Sequence, residues 1–329
     1  MRMSLLVGMV LAAALGAYAN PRPILSLPAG GLQPRLERSV LLEKERLRIG
    51  KQTVQVEYEF RNTGSEAVST EVEFPLPALH SDWGWRGEGL FSNFRAWEGD
   101  REIALTKEVR AFARGEDVTD ALLKIGLTPE RFKASEGAQA ALKHLDEATK
   151  AGLARVGLLV RNSADDTRLV PQFREGPSTY RVDEDYCLVC NWECRISYRW
   201  PQVFPPGEAV RLRHRYSPVV GESGSDSVMF AEQFKDACAG PDLKAFMDGH
   251  QGENMVRVTW LEYLVTTANA WQTPIRDFEL VVEKKPDEKV TFCWDGKIEE
   301  ISQTEIRARK NDFVPDRELK IYFLERLKR

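Results

Sequence analysis

Three of the chain's five cysteines fall within one octet, CLVCNWEC: Cys187, Cys190 and Cys194. Residues of that type at that spacing could form a metal knuckle, a redox centre or disulfide bridges. A structural zinc site needs four ligands, typically in two paired clusters. The nearest additional candidates, His214 and Cys238, stand singly and far along the chain. A thioredoxin-like centre needs Cys-x-x-Cys at a helix start beside a βαβ unit, whereas Tyr198 and Trp200 continue a strand pattern. Disulfide chemistry is the preferred reading. A turn at 189–192 would let Cys187 and Cys194 face each other at the ~3.8 Å Cβ separation a bridge requires, closing a short loop for about 2.5 kcal/mol. Cys190 would then be the odd thiol: free, exchanging with Cys187, or linking two chains.

The other reactive residue types form no working set. His80, His144, His214 and His250 occupy no H-x-H or H-E-x-x-H spacing, and His214 falls on the apolar face of its segment, where a satisfied core imidazole is expected. His80-Ser81-Asp82 places three triad residue types side by side, but neighbours in sequence cannot align nucleophile, base and orienter. Gly221-Glu222-Ser223-Gly224-Ser225 lacks the second glycine of a nucleophile elbow and reads as a flexible linker. Asp183-Glu184-Asp185 lacks the glycine and the twelfth-position glutamate of an EF-hand loop. No phosphate loop or dinucleotide fingerprint is present. No catalytic residue, metal or cofactor is assigned.

Binding candidates are aromatic and basic. HSDWGWRGEGLFSNFRAW (80–97) sets Trp83 and Trp85 in a glycine-flanked loop, with Phe91 and Phe94 as core residues beyond it. Exposed indoles would offer flat apolar faces to a sugar ring or a partner protein; the competing arrangement tucks both beneath the loop. The stripe Arg211, Arg213, Arg215 could grip an anion, or could face the Glu57/Glu59 or Glu71/Glu73 stripes of neighbouring strands.

The elements that must position these residues read mainly as strands. The 329 residues, 43% hydrophobic with net charge −4, suffice for one large or two ordinary domains and carry no basic surplus of the kind nucleic acid demands. Met1-Arg2-Met3-Ser4, an apolar run over 5–15 and Ala17-Tyr18-Ala19 form a secretory leader over residues 1–19, too short to span a membrane. Val54, Val56, Tyr58 and Phe60 alternate with polar residues, as do Val68, Thr70, Val72 and Phe74, and the Asn62-Thr63-Gly64-Ser65 turn predicts a hairpin between them. Further alternation runs through Val210–Tyr216, through Phe278, Leu280 and Val282, and through Leu319, Ile321 and Phe323. Antiparallel sheets with one wet face give this signature. The exception is 117–160. There a short helix over 121–125 and an Ala-rich one over 135–151, stopped by Gly152, predict a helical insertion.

In order, YEFRNTGSEAVSTEVEFPLP (58–77), KEVRAFARGEDVTDALLKIGL (107–127), RISYRWPQVFPPGEAVRLRHRYSPVVG (195–221), EYLVTTANAWQTPIRDFELVVEK (262–284), VTFCWDGKIEEI (290–301) and KNDFVPDRELKIYFL (310–324) resemble the bacterial secreted family catalogued as domain of unknown function 4424. The F-R-N…F-P-L-P stretch is also similar to the opening of the β-sandwich domain of inter-alpha-trypsin-inhibitor-type proteins. The family resemblance implies export and a β-sandwich-rich fold and brings no activity. It presents Cys238 and Cys293 as a pair, a long loop whose closure contributes roughly 4 kcal/mol.

The resulting expectation is a mainly β protein of two β-sandwich-like (Ig-like) domains, 20–221 with the helical insertion and 222–329. It is exported and soluble, periplasmic or secreted, and not membrane-spanning after processing. Its role is that of a non-enzymatic binding or structural module with an unknown envelope protein or glycan as partner. Two alternatives stand beside it. A hydrolase of envelope polymers would show a cleft with two carboxyl groups about 5–9.5 Å apart. An adhesion or assembly subunit would show an uncovered strand edge or a Cys190-linked dimer.

Overall fold

The computed structural model describes residues 29–30, 32–34, 39–76, 79–80, 93–129, 144–161, 179–181, 186–189, 192–225, 230, 234–248, 256–271 and 273–326. The expected leader lies outside them. Two short strands, β1 (Ala29–Gly30) and β2 (Gln33–Pro34), precede β3 (Val40–Ile49), β4 (Val54–Asn62) and β5 (Val68–Pro75). Next come β6 (Leu79–His80), β7 (Arg95–Glu98) and β8 (Arg101–Glu102). β9 (Thr106–Ala113) and β10 (Glu116–Asp117) form a hairpin whose two turn residues, Arg114 and Gly115, both have positive φ, as a type I′ turn requires. Helices α1 (Thr119–Lys124) and α2 (Glu147–Arg155) lead to β11 (Leu159–Arg161), β12 (Thr179–Arg181), β13 (Tyr186–Val189), β14 (Glu193–Phe204), β15 (Ala209–Tyr216) and β16 (Gly221–Ser225). The remainder comprises α3 (Pro241–Asp248), β17 (Val256–Leu264), β18 (Ile275–Glu283), β19 (Lys289–Phe292), β20 (Ile298–Ser302), β21 (Glu305–Phe313) and β22 (Leu319–Arg326). The fold is mainly β.

One long sheet organises the molecule, in the order β20-β21-β18-β3-β4-β15-β7-β8. A six-stranded sheet (β10-β9-β14-β5-β2, with β6 on β14) and a five-stranded sheet (β1-β17-β22-β19, with β16 on β17) pack against its apolar face. Phe60 meets Phe204 with ring centres 5.7 Å apart, and Phe74 meets Tyr216 at 5.4 Å, joining the long sheet to the six-stranded one. The Tyr58 and Tyr263 hydroxyls, 3.4 Å apart, join it to the five-stranded one. The fourth and smallest sheet among the described residues is β11-β13-β12. No helix among the described residues is long and apolar enough to cross a membrane.

The long sheet runs across the expected division at 221/222, because β18 pairs in parallel with β3, Asp277 opposite Lys44 through Val282 opposite Ile49. The division itself falls in β16, so the reading of Gly221–Ser225 as a flexible linker is corrected: those residues pair antiparallel with β17. Gly221 stands opposite Trp260, and a Cβ there would lie 2.2 Å from the indole. The glycine serves to let the ring lie over the strand.

Two further expectations change. β4 and β5 are not a hairpin; they belong to different sheets, β4 between β3 and β15, β5 between β14 and β2. Buried Asn62 explains the corner. Its Nδ2 donates to the carbonyls of Glu66 (2.7 Å) and Phe204 (2.9 Å), and its Oδ1 accepts from Gly64 N–H, so the turn is tied across the layers. Gly152 does not stop a helix but lies inside α2, which ends at Gly157 (φ 75°). Leu158 N–H bonds to Leu153 O and Gly157 N–H to Ala154 O, the Schellman pattern, and α1 ends identically at Gly126 (φ 73°) with Leu127 and Leu122. Residues 130–143 of the expected helical insertion lie outside the described residues.

Candidate functional site

Where β18, β21 and the segment after β19 come together, the register sets Lys310 opposite Phe278 and Phe313 opposite Ile275. Cross-strand partners share a face, so a lysine is carried over an aromatic floor. Phe278, Trp294 and Phe313 form that floor, with ring centres 4.8–5.9 Å apart. The Lys310 ammonium lies 4.7 Å from the Trp294 ring centre and 4.8 Å from that of Phe313, a cation–π arrangement. It also pairs with Asp295. Asp316, Arg317 and Glu318, in the β21–β22 connection, complete the rim of a cleft of about 180 Å³. Glu318 accepts from Thr266 N–H, and Arg317 pairs with Asp316 at 3.1 Å. Lys310 beside Asp295 holds that carboxyl below the ordinary aspartate range, and Arg317 does the same for Asp316.

The Cys238–Cys293 disulfide forms one wall. It joins the residue that ends the 3-10 turn Lys235–Ala237 to the one preceding Trp294, with Cα atoms 5.1 Å apart, and so ties the loop bearing Trp294 to the α3 side of the five-stranded sheet. The pairing is the one the family resemblance implied.

Trp83, Trp85 and Cys190 lie outside the described residues, as does the side chain of Cys187, whose backbone in β13 stands opposite Val160 and Arg181. Cys194 is buried in β14 opposite Ala111. Among the described residues no group of three or more His, Cys, Asp and Glu side chains is placed to hold a metal. The arginine stripe divides. Arg211 reaches Glu59 at 3.4 Å, while Glu71 and Glu73 face Arg199 of β14 instead.

His214 is a core residue, as expected, but not a satisfied one: among the described residues neither ring nitrogen has a hydrogen-bond partner. Burial pushes its pKa down to about 3. Near it, Glu45 is buried through a break in alternation. The register of β3 on β4 slips between Leu42 and Lys44, so the inward set changes from Val40 and Leu42 to Glu45, Leu47 and Ile49. Burial raises the Glu45 pKa to about 8, partly offset by a 3.4 Å hydrogen bond from the Tyr263 hydroxyl.

Sequence reasoning missed the Phe278–Trp294–Lys310–Phe313 set. Its residues were present in IRDFELVVEK, VTFCWDGKIEEI and KNDFVPD, but only the folded structure reveals that the three stretches meet.

A family model described as domain of unknown function (DUF4424) matches residues 20–322. No curated protein matches the chain in sequence. Among solved structures, a candidate nutrient-binding protein from Legionella pneumophila aligns over 92% of this chain and 72% of its own at 12% identity, with a TM-score of 0.49. An M1 zinc metallopeptidase from Deinococcus radiodurans aligns over 87% of this chain but only 42% of its own length, at 8% identity and a TM-score of 0.25.

Proposed function

The chain belongs to the family described as domain of unknown function DUF4424, and on that footing we propose that it is an exported, soluble binding module of the cell envelope that holds a saccharide in the Trp294 cleft. The observation carrying the reading is the aromatic floor under a charged rim. Half-buried Trp294, backed by the buried rings of Phe278 and Phe313, offers a flat face to the C–H side of a sugar ring, while Lys310, Arg317, Asp295 and Asp316 supply donors and acceptors to its hydroxyls. The disulfide beside the cleft supports a periplasmic or secreted location, since such bridges persist in oxidising compartments. The reading includes removal of residues 1–19, two β-sandwich-like (Ig-like) units with a helical insertion at 117–160, and Trp83 and Trp85 as a second aromatic contact.

Hydrolysis is the second reading because two aspartates share the cleft. A glycosidase acid must keep its proton near neutrality, and both aspartates are held below their ordinary range. Binding is the reading the cleft supports better.

Calorimetric titration of the processed chain with envelope saccharide fragments tests it. Trp294→Ala should weaken binding about tenfold or more, as loss of an aromatic anchor does, while Trp294→Phe retains most of it and guards against misfolding. Trp83→Ala/Trp85→Ala separates the two aromatic candidates. Equal saccharide binding by wild type and Trp294→Ala would remove the cleft from the proposal.

A further inference from the structure

On the opposite, solvent-facing side of the long sheet, three arginines surround one indole. Trp97 of β7 has the Arg213 guanidinium 4.6 Å from its ring centre, Arg95 at 5.2 Å and Arg215 at 5.9 Å. The register explains the grouping: Trp97 stands opposite Arg213, and Arg95 opposite Arg215. Like charges directly opposite each other on adjacent strands are destabilising, so the Arg95–Arg215 placement carries a cost. Several other arginines on this face are neutralised, Arg48 by Glu283 and Glu305, Arg211 by Glu59 and Arg309 by Glu279, although exposed Arg46 forms no ion pair among the described residues. Arg95 has Glu102. Arg213 and Arg215 form no ion pair among the described residues, although Arg213 stands opposite Glu57 in the ladder, and Arg213 Nε is buried without a hydrogen-bond partner among them. Beside Arg95 and Arg215 opens a cleft of about 360 Å³, bordered by the polar side chains of Thr53, Asn93 and Ser217. That is room for a monosaccharide-sized ligand.

We propose that Arg95, Arg213 and Arg215 around Trp97 form a second binding site, separate from the Trp294 cleft, for an oxyanion-bearing sugar. The carboxylate or phosphate group lies between Arg95 and Arg215, where it relieves the arginine–arginine opposition, and the sugar hydroxyls meet Thr53, Asn93 and Ser217. Guanidinium groups suit both oxyanions through paired N–H donors.

Titration of the full processed chain at low salt with glucuronate, glucose 6-phosphate and glucose tests this. At least one anionic sugar should bind more tightly than glucose; which one distinguishes a carboxylate from a phosphate ligand. Arg213→Gln/Arg215→Gln should weaken that binding about tenfold or more, and added salt should weaken it further. Arg48→Gln, an arginine on the same face with carboxylate partners, and Trp294→Ala, in the other cleft, should leave it unchanged. Anionic sugars binding no better than glucose, or binding the double variant as tightly as wild type, would overturn the proposal.

Discussion

The solvent side of the long sheet and the interior of the five-stranded sheet are both built from antiparallel strands, yet they do opposite work. In β4 and β15 every second residue meets water, and the sequence alternates accordingly. In β22, Ile321, Tyr322, Phe323 and Leu324 are buried in succession, because the sheet is covered twice. Ile321 and Phe323 join the main cluster, while Tyr322 and Leu324 join a second one with Phe234, Phe246, Val258 and Trp260. Stability therefore concentrates where both faces are dry, and charge free to recognise a ligand collects where one face is wet.

The comparison is broken most directly at the two tryptophans. Trp260 packs against Phe234 at 5.2 Å and fills the space above Gly221. Trp260→Ala should cost about 3–5 kcal/mol, the usual result of emptying a buried indole site. Trp97→Ala, on the wet face, should cost much less. Urea unfolding of both variants checks this, and equal losses would erase the distinction between the faces.

The same contrast explains what could be read in the sequence. Strands with one wet face were legible from Val54, Val56, Tyr58 and Phe60, from Val210 to Tyr216, and from Phe278 to Val282. Their partners were not: Asn62 carries ordinary turn chemistry, and its hydrogen bond to Phe204, 142 residues away, decides that the turn changes sheets. Gly221 looked like linker because its purpose is the ring of Trp260, supplied from another strand. The aromatic cleft was hidden for a similar reason, since Phe278, Trp294 and Lys310 come from three separate stretches. The Glu45 burial was hidden by a one-residue slip in an otherwise clean alternation.

That slip gives the next effect in size. The Glu45 pKa rises from 4.5 to about 8 on folding, so its contribution is fully present below pH 4.5 and is lost as pH rises toward 8. His214 falls from 6.5 to about 3, so its contribution is present above pH 6.5 and is lost as pH drops toward 3. Between pH 4.5 and 6.5 the two slopes cancel. Stability should show a plateau there and fall on either side at about 1.4 kcal/mol per pH unit, roughly 2 kcal/mol between pH 6.5 and 8. Glu45→Gln should remove the alkaline fall and leave the acid one, as followed by thermal unfolding across pH. An unchanged alkaline slope in that variant would show that Glu45 is not its source.

The smallest effect belongs to the wet face itself. Arg48 bridges Glu283 at 2.6 Å and Glu305 at 2.8 Å, linking β3, β18 and β21 where the long sheet joins early and late parts of the chain. The position invites the view that this ion pair holds the halves together. Its side chain is 44% exposed, however, and water competes for both partners, so Arg48→Gln should cost less than about 1 kcal/mol and less still in high salt. The parallel ladder between Asp277–Val282 and Lys44–Ile49 persists without it, since the apolar residues on the other side, Leu47, Ile49, Leu280 and Val282, are fully buried. A loss of several kcal/mol, insensitive to salt, would mean that surface charge rather than the dry face beneath it fastens the sheet across the chain.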